Sequence, residues 1–210
     1  LRHFCDTNGN FYSTDMEDGE LISRVSSFKF EANKRLRAKG QIGPESFHTI
    51  AQASTPQNYF ALLVADGDSF GKMLKKCRTL PEIETLAKVI FNTIDTVVEV
   101  ATQKLNIERE VYDVLLKGGD DLIVALPANK AIQFAMLVTE GFTNRMQQAL
   151  QQEPLLSSVT NEIFTLSTAV VWAHTKFPFG AWNQIAESAL KFTKQERAKQ
   201  QRDNPNNIEP

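Results

Sequence analysis

The chain has 210 residues, a formal net charge of −2, 42% hydrophobic residues and 23% charged ones. These values suit a globular protein able to bury a full core, with one main domain and an appendage. They exclude a global basic field that would draw the protein to nucleic acid or to a membrane surface. The two cysteines, Cys5 and Cys77, form neither a disulfide framework nor a zinc set, and fit a reducing cytoplasm. No apolar run is long enough to span a membrane and no secretory signal is visible. The start at Leu1 reads as a fragment or a processed chain.

Residues 1–45 read as a separate segment. CDTNGNFYSTDMEDGE is polar and turn-rich, and ELISRVSSFKFEANKRLRAKG reads as one basic helix ended by Gly40. A linker with Gly43, Pro44 and Pro56 follows. The main domain is expected over residues 46–200, and 201–210 is a polar tail. Within the domain, YFALLVA (59–65) is a short continuous apolar run, the pattern of a buried strand. It stops at Asp66-Gly67-Asp68, where SFGKMLKKC begins a helix with Ser69 as its cap. Pro81 opens a longer helix, with Ile83, Leu86, Ile90, Ile94, Val97, Ala101 and Leu105 at helical spacing. VYDVLLK, GGDD and LIVAL then read as strand, turn and strand. A helix starts at Pro127, IFTLSTAVVWAH (163–174) is a strand, and AWNQIAESALKFTKQERAKQ is a final amphipathic helix. Without the additional helices this order is βαββαβ, an α+β ferredoxin-like arrangement. In that topology the first strand lies beside the central hairpin, so Asp66 and Asp120 should meet at one sheet edge.

Two motifs bear on chemistry. DGDSFGK (66–72) places a carboxylate at the end of a buried strand, where it can act as a hard oxygen ligand. The amides that follow open a helix, whose N-terminus attracts phosphate, and Gly67 and Gly71 let a nucleotide approach closely. GGDD (118–121) pairs two glycines, which suit a two-residue turn with positive φ, with two adjacent acids whose repulsion a metal would offset. Taken alone, each motif is more commonly a solvated turn. Together they supply what two-metal phosphoryl transfer needs: acids from separate strands converging on two ions about 3.5–4 Å apart. Lys191 and Lys194 on the last helix could reach the phosphate site as point charges, or form a solvated basic face. Arg197 and Lys199 read as surface residues. His3, His48 and His174 have no partners at metal spacing, and Trp172 and Trp182 read as packing residues. There is no Walker A sequence, no G-x-G-x-x-G and no nucleophile elbow.

ALLVADGDSFGKML, LLKGGDDLIVALP and LSTAVVWAHTKFPFGAWNQIAESALKFTK, in that order, resemble the polymerase-like palm in the large subunit of type III CRISPR effector complexes. The likeness runs from about Ser46 to Lys199. Diguanylate cyclases share the fold, but their hairpin reads Gly-Gly-(Asp/Glu)-Glu-Phe, whereas here Leu122 follows Asp121. The resemblance implies joining of ATP into cyclic oligoadenylate second messengers. It implies two Mg²⁺ or Mn²⁺ ions on Asp66, Asp120, Asp121 and the Gly67 carbonyl. Asp68, Ser69, Phe70, Gly71 and Lys72 would line the triphosphate or sugar with Gly118 and Gly119, and Lys194 would bind phosphate. Full-length relatives have two palms and a cysteine-rich zinc element. One palm and a lone Cys5 imply no zinc here, and either part of a large subunit or a single-palm relative such as the minimal CRISPR polymerases. The implied partners are a second palm, as a homodimer or another domain, and CRISPR effector subunits with guide and target RNA, without a membrane. The same site would serve a cyclic dinucleotide synthase, and a non-catalytic palm scaffold in a ribonucleoprotein is the third reading.

Overall fold

A computed structural model describes residues 2–5, 11–14, 21–23, 43–44, 46–68 and 70–203. The chain divides into two compact units, Leu1–Gly43 and Pro44–Pro210. In the first, β1 (Arg2–Cys5), β2 (Phe11–Thr14) and β3 (Leu21–Ser23) form an antiparallel sheet in that order. The expected basic helix is therefore a strand over its first residues, because Leu21–Ser23 pair with Tyr12–Thr14. The remainder of that helix lies outside the described residues.

The second unit runs α1 (Phe47–Gln52), β4 (Tyr59–Gly67), α2 (Phe70–Leu74), α3 (Leu80–Lys104), β5 (Asp113–Gly118), β6 (Asp121–Pro127), α4 (Ala131–Gln152), β7 (Leu166–His174) and α5 (Phe179–Asp203). Its four strands are ordered β5-β6-β4-β7 with every neighbouring pair antiparallel. This is the ferredoxin-like βαββαβ sheet. The first strand is central, and both its faces are covered, which is why 60–65 reads as an unbroken apolar run.

The alternation of β4 builds two cores. Ala61, Leu63 and Ala65 face α3 and α4, joining Leu86, Ile90, Ile94, Val97 and Ala101 of the predicted stripe. Phe60, Leu62 and Val64 face α1 and α5, joining Ile50, Trp182, Ala186 and Leu190. Each fully buried side chain of this size contributes about 1.5–3 kcal/mol, so a central strand packed on both faces is the main anchor of the unit. Ile83, expected in the stripe, is exposed in the first turns of α3.

Local signals account for the boundaries. Thr79 caps α3 by accepting from Glu82 N at 3.4 Å, and the Glu82 side chain accepts from Arg78 N at 2.8 Å. Asn106, at φ 50°, closes the helix: its N–H donates to Gln103 O, and Ile107 N donates to Thr102 O at 2.9 Å. Pro127 ends β6 instead of opening α4, because it still pairs with Phe60, and a 3₁₀ turn over Ala128–Lys130 intervenes. The helix after β4 is shorter than expected, only Phe70–Leu74, so its end charge is correspondingly small.

One irregularity shapes the site. The β5–β6 register shifts between Val114 and Leu116. The extra residue reverses the alternation, so Leu115 and Leu116 both lie on the α5 side of the sheet. Lys117 is turned to the other face, where it pairs with Asp95 and sits 4.0 Å above the Phe91 ring of α3.

Candidate functional site

Asp66 is the penultimate residue of β4 and Gly67 the last, both extending past the end of the β6 pairing while still paired with β7. The hairpin closes with Gly118 opposite Asp121, so the two turn residues are Gly119 and Asp120. The expectation of a turn centred on both glycines is thus corrected by one position. Gly119 alone has positive φ, at 63°, and Asp120 does not. This is the pattern of a type II′ hairpin, with glycine at the first central position. It puts Asp120 at the tip.

The tip rests on the end of β4. A Cβ built on Gly67 would lie 2.7 Å from Asp120 Cβ and 2.1 Å from Phe70 Cδ2. Residues distant in sequence are therefore in contact through the absence of a side chain, and Asp66, Asp120 and Asp121 share one corner of the sheet. Their electrostatics agree. Burial, then the Asp66 and Asp121 charges, push the Asp120 carboxyl above its ordinary value, partly opposed by its own backbone hydrogen bond and by Lys194. Asp121 is pushed the same way by burial and then by Asp66, with Lys194 again opposing.

Lys194 reaches this corner from α5. Its ammonium donates to the Gly67 carbonyl oxygen at 3.0 Å and forms an ion pair with Asp66 Oδ2. Three carboxylates and a carbonyl are a hard oxygen donor set of the kind Mg²⁺ and Mn²⁺ take. Among the described residues, no three acid, histidine or cysteine side chains are gathered around a common ion position. The ammonium instead sits on Gly67 O and Asp66 Oδ2, so the corner holds a side-chain cation between two of the expected ligand residues.

Asp68 has a different place. Its Oδ2 accepts from Thr165 Oγ1 at 2.8 Å and from Arg197 Nη1 at 2.6 Å, and its Oδ1 accepts from Ser167 Oγ at 2.6 Å. Its N–H donates to Thr165 O at 2.9 Å. The carboxylate is fully engaged in fastening the β4–α2 loop to β7 and α5. Arg197, expected at the surface, is one half of this clamp. Replacing Asp68 by Ala leaves two nearly buried hydroxyls and a guanidinium without their acceptor. We expect a loss of about 2–3 kcal/mol, seen as a Tm several degrees lower, with Asp68→Asn retaining part of it.

The other sequence candidates separate by position. Phe70 is buried, with its ring against Phe164 and Phe142. Gly71 and Lys72 are exposed on α2, and nothing lies within 4 Å of a Cβ on Gly71 or Gly118. Ser69 lies outside the described residues. His48 bonds Gln52, and His174 meets the Tyr59 ring edge-on, both away from the acids. Trp182 is core, whereas Trp172 is half-exposed and donates Nε1 to Ala128 O at 2.9 Å.

Between the sheet and α5 lies a cleft of about 620 Å³. Val64, Ile123 and Leu116 form its floor and Leu190 one wall, with Asp66, Asp121, Lys191, Lys194, Glu187 and Gln195 around them. Its size and mostly apolar lining with a few charged groups suit a nucleotide-sized ligand. Sequence reasoning missed the hydroxyls of Thr165 and Ser167, the clamp role of Arg197, and Leu116. Arg197 follows Lys194 by one helical turn, which is the signal that would have found it.

Residues 59–204 match the family described as Cas10/Cmr2, second palm domain. The chain is similar to the CRISPR system Cmr subunit Cmr2 of Pyrococcus furiosus, 24% identical over 180 residues, which cover 73% of this chain and 20% of that protein. It shares the fold of Csm1 from T. onnurineus, with a TM-score of 0.58 and 16% identity over 72% of this chain and 22% of that one. It likewise shares the fold of a Csm1–Csm4 cassette in complex with cA3, with a TM-score of 0.57 and 15% identity over 71% of this chain and 21% of that one. The chain spans about a fifth of the length of these relatives.

Proposed function

Because this chain belongs to the Cas10/Cmr2 second palm domain family, we propose that it is a nucleotide-joining palm that links ATP into cyclic oligoadenylates within type III CRISPR defence. The observation that carries the proposal is the contact of Asp120 with Gly67, which brings Asp120 beside Asp66 and Asp121, two acids that line an apolar cleft. The likeness to a cassette in complex with cA3 supports adenine nucleotides as the ligands.

The chain's residues divide the work. Asp66, Asp120, Asp121 and the Gly67 carbonyl would hold two Mg²⁺ or Mn²⁺ ions. When bound, these supply charge neutralisation of the triphosphate and a more acidic ribose hydroxyl. Val64, Leu116, Ile123 and Leu190 offer an apolar seat for a base. Lys191 and Lys194 place positive charge beside the phosphates. The open backbone at Gly71 and Gly118 leaves room for the triphosphate to pass. Asp68 and Arg197 keep the loop that follows Gly67 from drifting. The cleft has no histidine in its lining, and positioning with charge neutralisation is what nucleotidyl transfer chiefly requires.

One cleft of this volume seats one nucleotide, so joining two requires a second seat. We assign it to a second palm, supplied by another copy or by another domain of a large subunit. Incubating the protein with labelled ATP and Mn²⁺, and separately with GTP, then resolving products by mass, tests the activity and the base preference together. Cyclic oligoadenylates from ATP alone are expected. A cyclic dinucleotide as sole product would reassign the reaction, and no product from either nucleotide, in the presence of an added second palm, would make the chain a scaffold.

A further inference from the structure

We propose that Lys194 is the resident cation of the acidic corner, and that a divalent ion enters by displacing it. The inference rests on the metal-site reading above and adds a competition within it. The ammonium occupies the Gly67 carbonyl oxygen at 3.0 Å and pairs with Asp66 Oδ2. These are two of the oxygens that β4 presents to an ion. A divalent ion on them would stand against a like charge at contact distance, so the two cannot share the position.

The fold allows the lysine to leave alone. Its stem has four rotatable methylenes, while α5 is held one turn further on by the 2.6 Å contact of Arg197 Nη1 with Asp68 Oδ2 and one turn before by the buried Leu190. The ammonium can therefore swing from the acids without unseating the helix. Lys191 lines the same cleft, so the released charge joins a second cation where an anionic ligand would lie. Ion entry and anion binding are thereby coupled through one side chain. In the absence of an ion, Lys194 neutralises part of a corner where burial and like charges otherwise accumulate.

The test is a Mn²⁺ titration of the nucleotide-free 210-residue chain followed by electron paramagnetic resonance at fixed pH, with wild type, K194M and K194R. K194M removes the competitor and keeps the stem, and should bind Mn²⁺ about tenfold more tightly, within the usual range of coupling between two ligands. K194R keeps a cation and should bind no more tightly than wild type. K194Q, read in the same way, stands in if K194M fails to fold. Equal or weaker Mn²⁺ binding in K194M than in wild type overturns the displacement and leaves the metal site standing. Absence of Mn²⁺ binding in wild type and K194M alike overturns the metal-site reading, and this inference with it.

Discussion

Replacing Asp120 and Asp121 together by Asn should reduce product formation from labelled ATP by at least about 10³-fold, while raising the Tm of the metal-free protein at neutral pH. The first effect follows, on the proposed function, from removal of two of the three acids assigned to the ions at unchanged side-chain shape. The second follows from what the fold does to those acids. Both carboxyls sit above the ordinary value of 3.8, through burial first and neighbouring acids second. A carboxyl whose pKa is raised on folding is ionised more easily in the unfolded chain. Stability is therefore full below the ordinary value, falls as pH rises from there through the raised value, and stays reduced at neutral pH. Asn removes that titration. The Tm advantage of the double variant should be largest near pH 7 and vanish below the ordinary carboxylate range, and Asp66 remains to hold Lys194. Adding Mg²⁺ should raise the Tm of wild type and leave the variant unchanged, since only a bound ion stabilises the folded state. A variant that melts lower than wild type in metal-free buffer at pH 7 would show that the acids are structural supports and not strained ligands.

That opposition between local stability and the proposed function is also why the acidic corner is partly legible in the sequence. Adjacent Asp120 and Asp121 between apolar strands make poor structure, and Asp66 puts a charge next to the buried run Phe60–Ala65 of the same strand. The order βαββαβ was legible because its elements carry strong local signals: a run covered on both faces from Phe60 to Ala65, and a stripe of Leu86, Ile90, Ile94, Val97 and Ala101 on one side of α3. From that order alone, the meeting of Asp66 with Asp120 follows by topology. What stayed hidden depends on register or on distant partners. The turn residues shifted by one because pairing of Gly118 with Asp121 is a property of the β5–β6 ladder. Leu116 faces the cleft only because a bulge reverses the alternation of β5. Asp68 reads as lining the triphosphate or sugar and Arg197 as a surface charge, and nothing local to either announces the 2.6 Å pair between them across most of the domain. Leu21–Ser23 fit a helical pattern as well as a strand, and only their pairing with β2 decides it.

The Gly67→Ala variant should combine a large loss of stability with loss of activity, because one methyl group meets two constraints. Gly67 has no positive φ to demand glycine, so the constraint is space. The added Cβ would fall 2.1 Å from Phe70 Cδ2 and 2.2 Å from Cε2. The Phe70 ring is buried against Phe164 and Phe142, with centroids 5.3 and 6.2 Å away, so it has little room to yield. On the other side the methyl would press on Asp120 Cβ at 2.7 Å. Overpacking of this kind costs about 1–3 kcal/mol where side chains can adjust, and the backbone of β4, paired on β7 up to Gly67, cannot easily retreat. The hairpin tip is the element free to move, and its movement takes Asp120 away from Asp66. We expect a Tm several degrees lower and product formation reduced by at least about 10²-fold. Mn²⁺ affinity should fall in parallel with activity, since the Asp120 carboxylate is displaced but not removed. Gly71→Ala is the matched control: its Cβ meets open space on an exposed helix, and both Tm and Mn²⁺ affinity should remain near wild type. A Gly67→Ala protein that melts and binds Mn²⁺ like wild type would show that the hairpin tip does not rest on β4, and the acids would then lack the contact that brings them together.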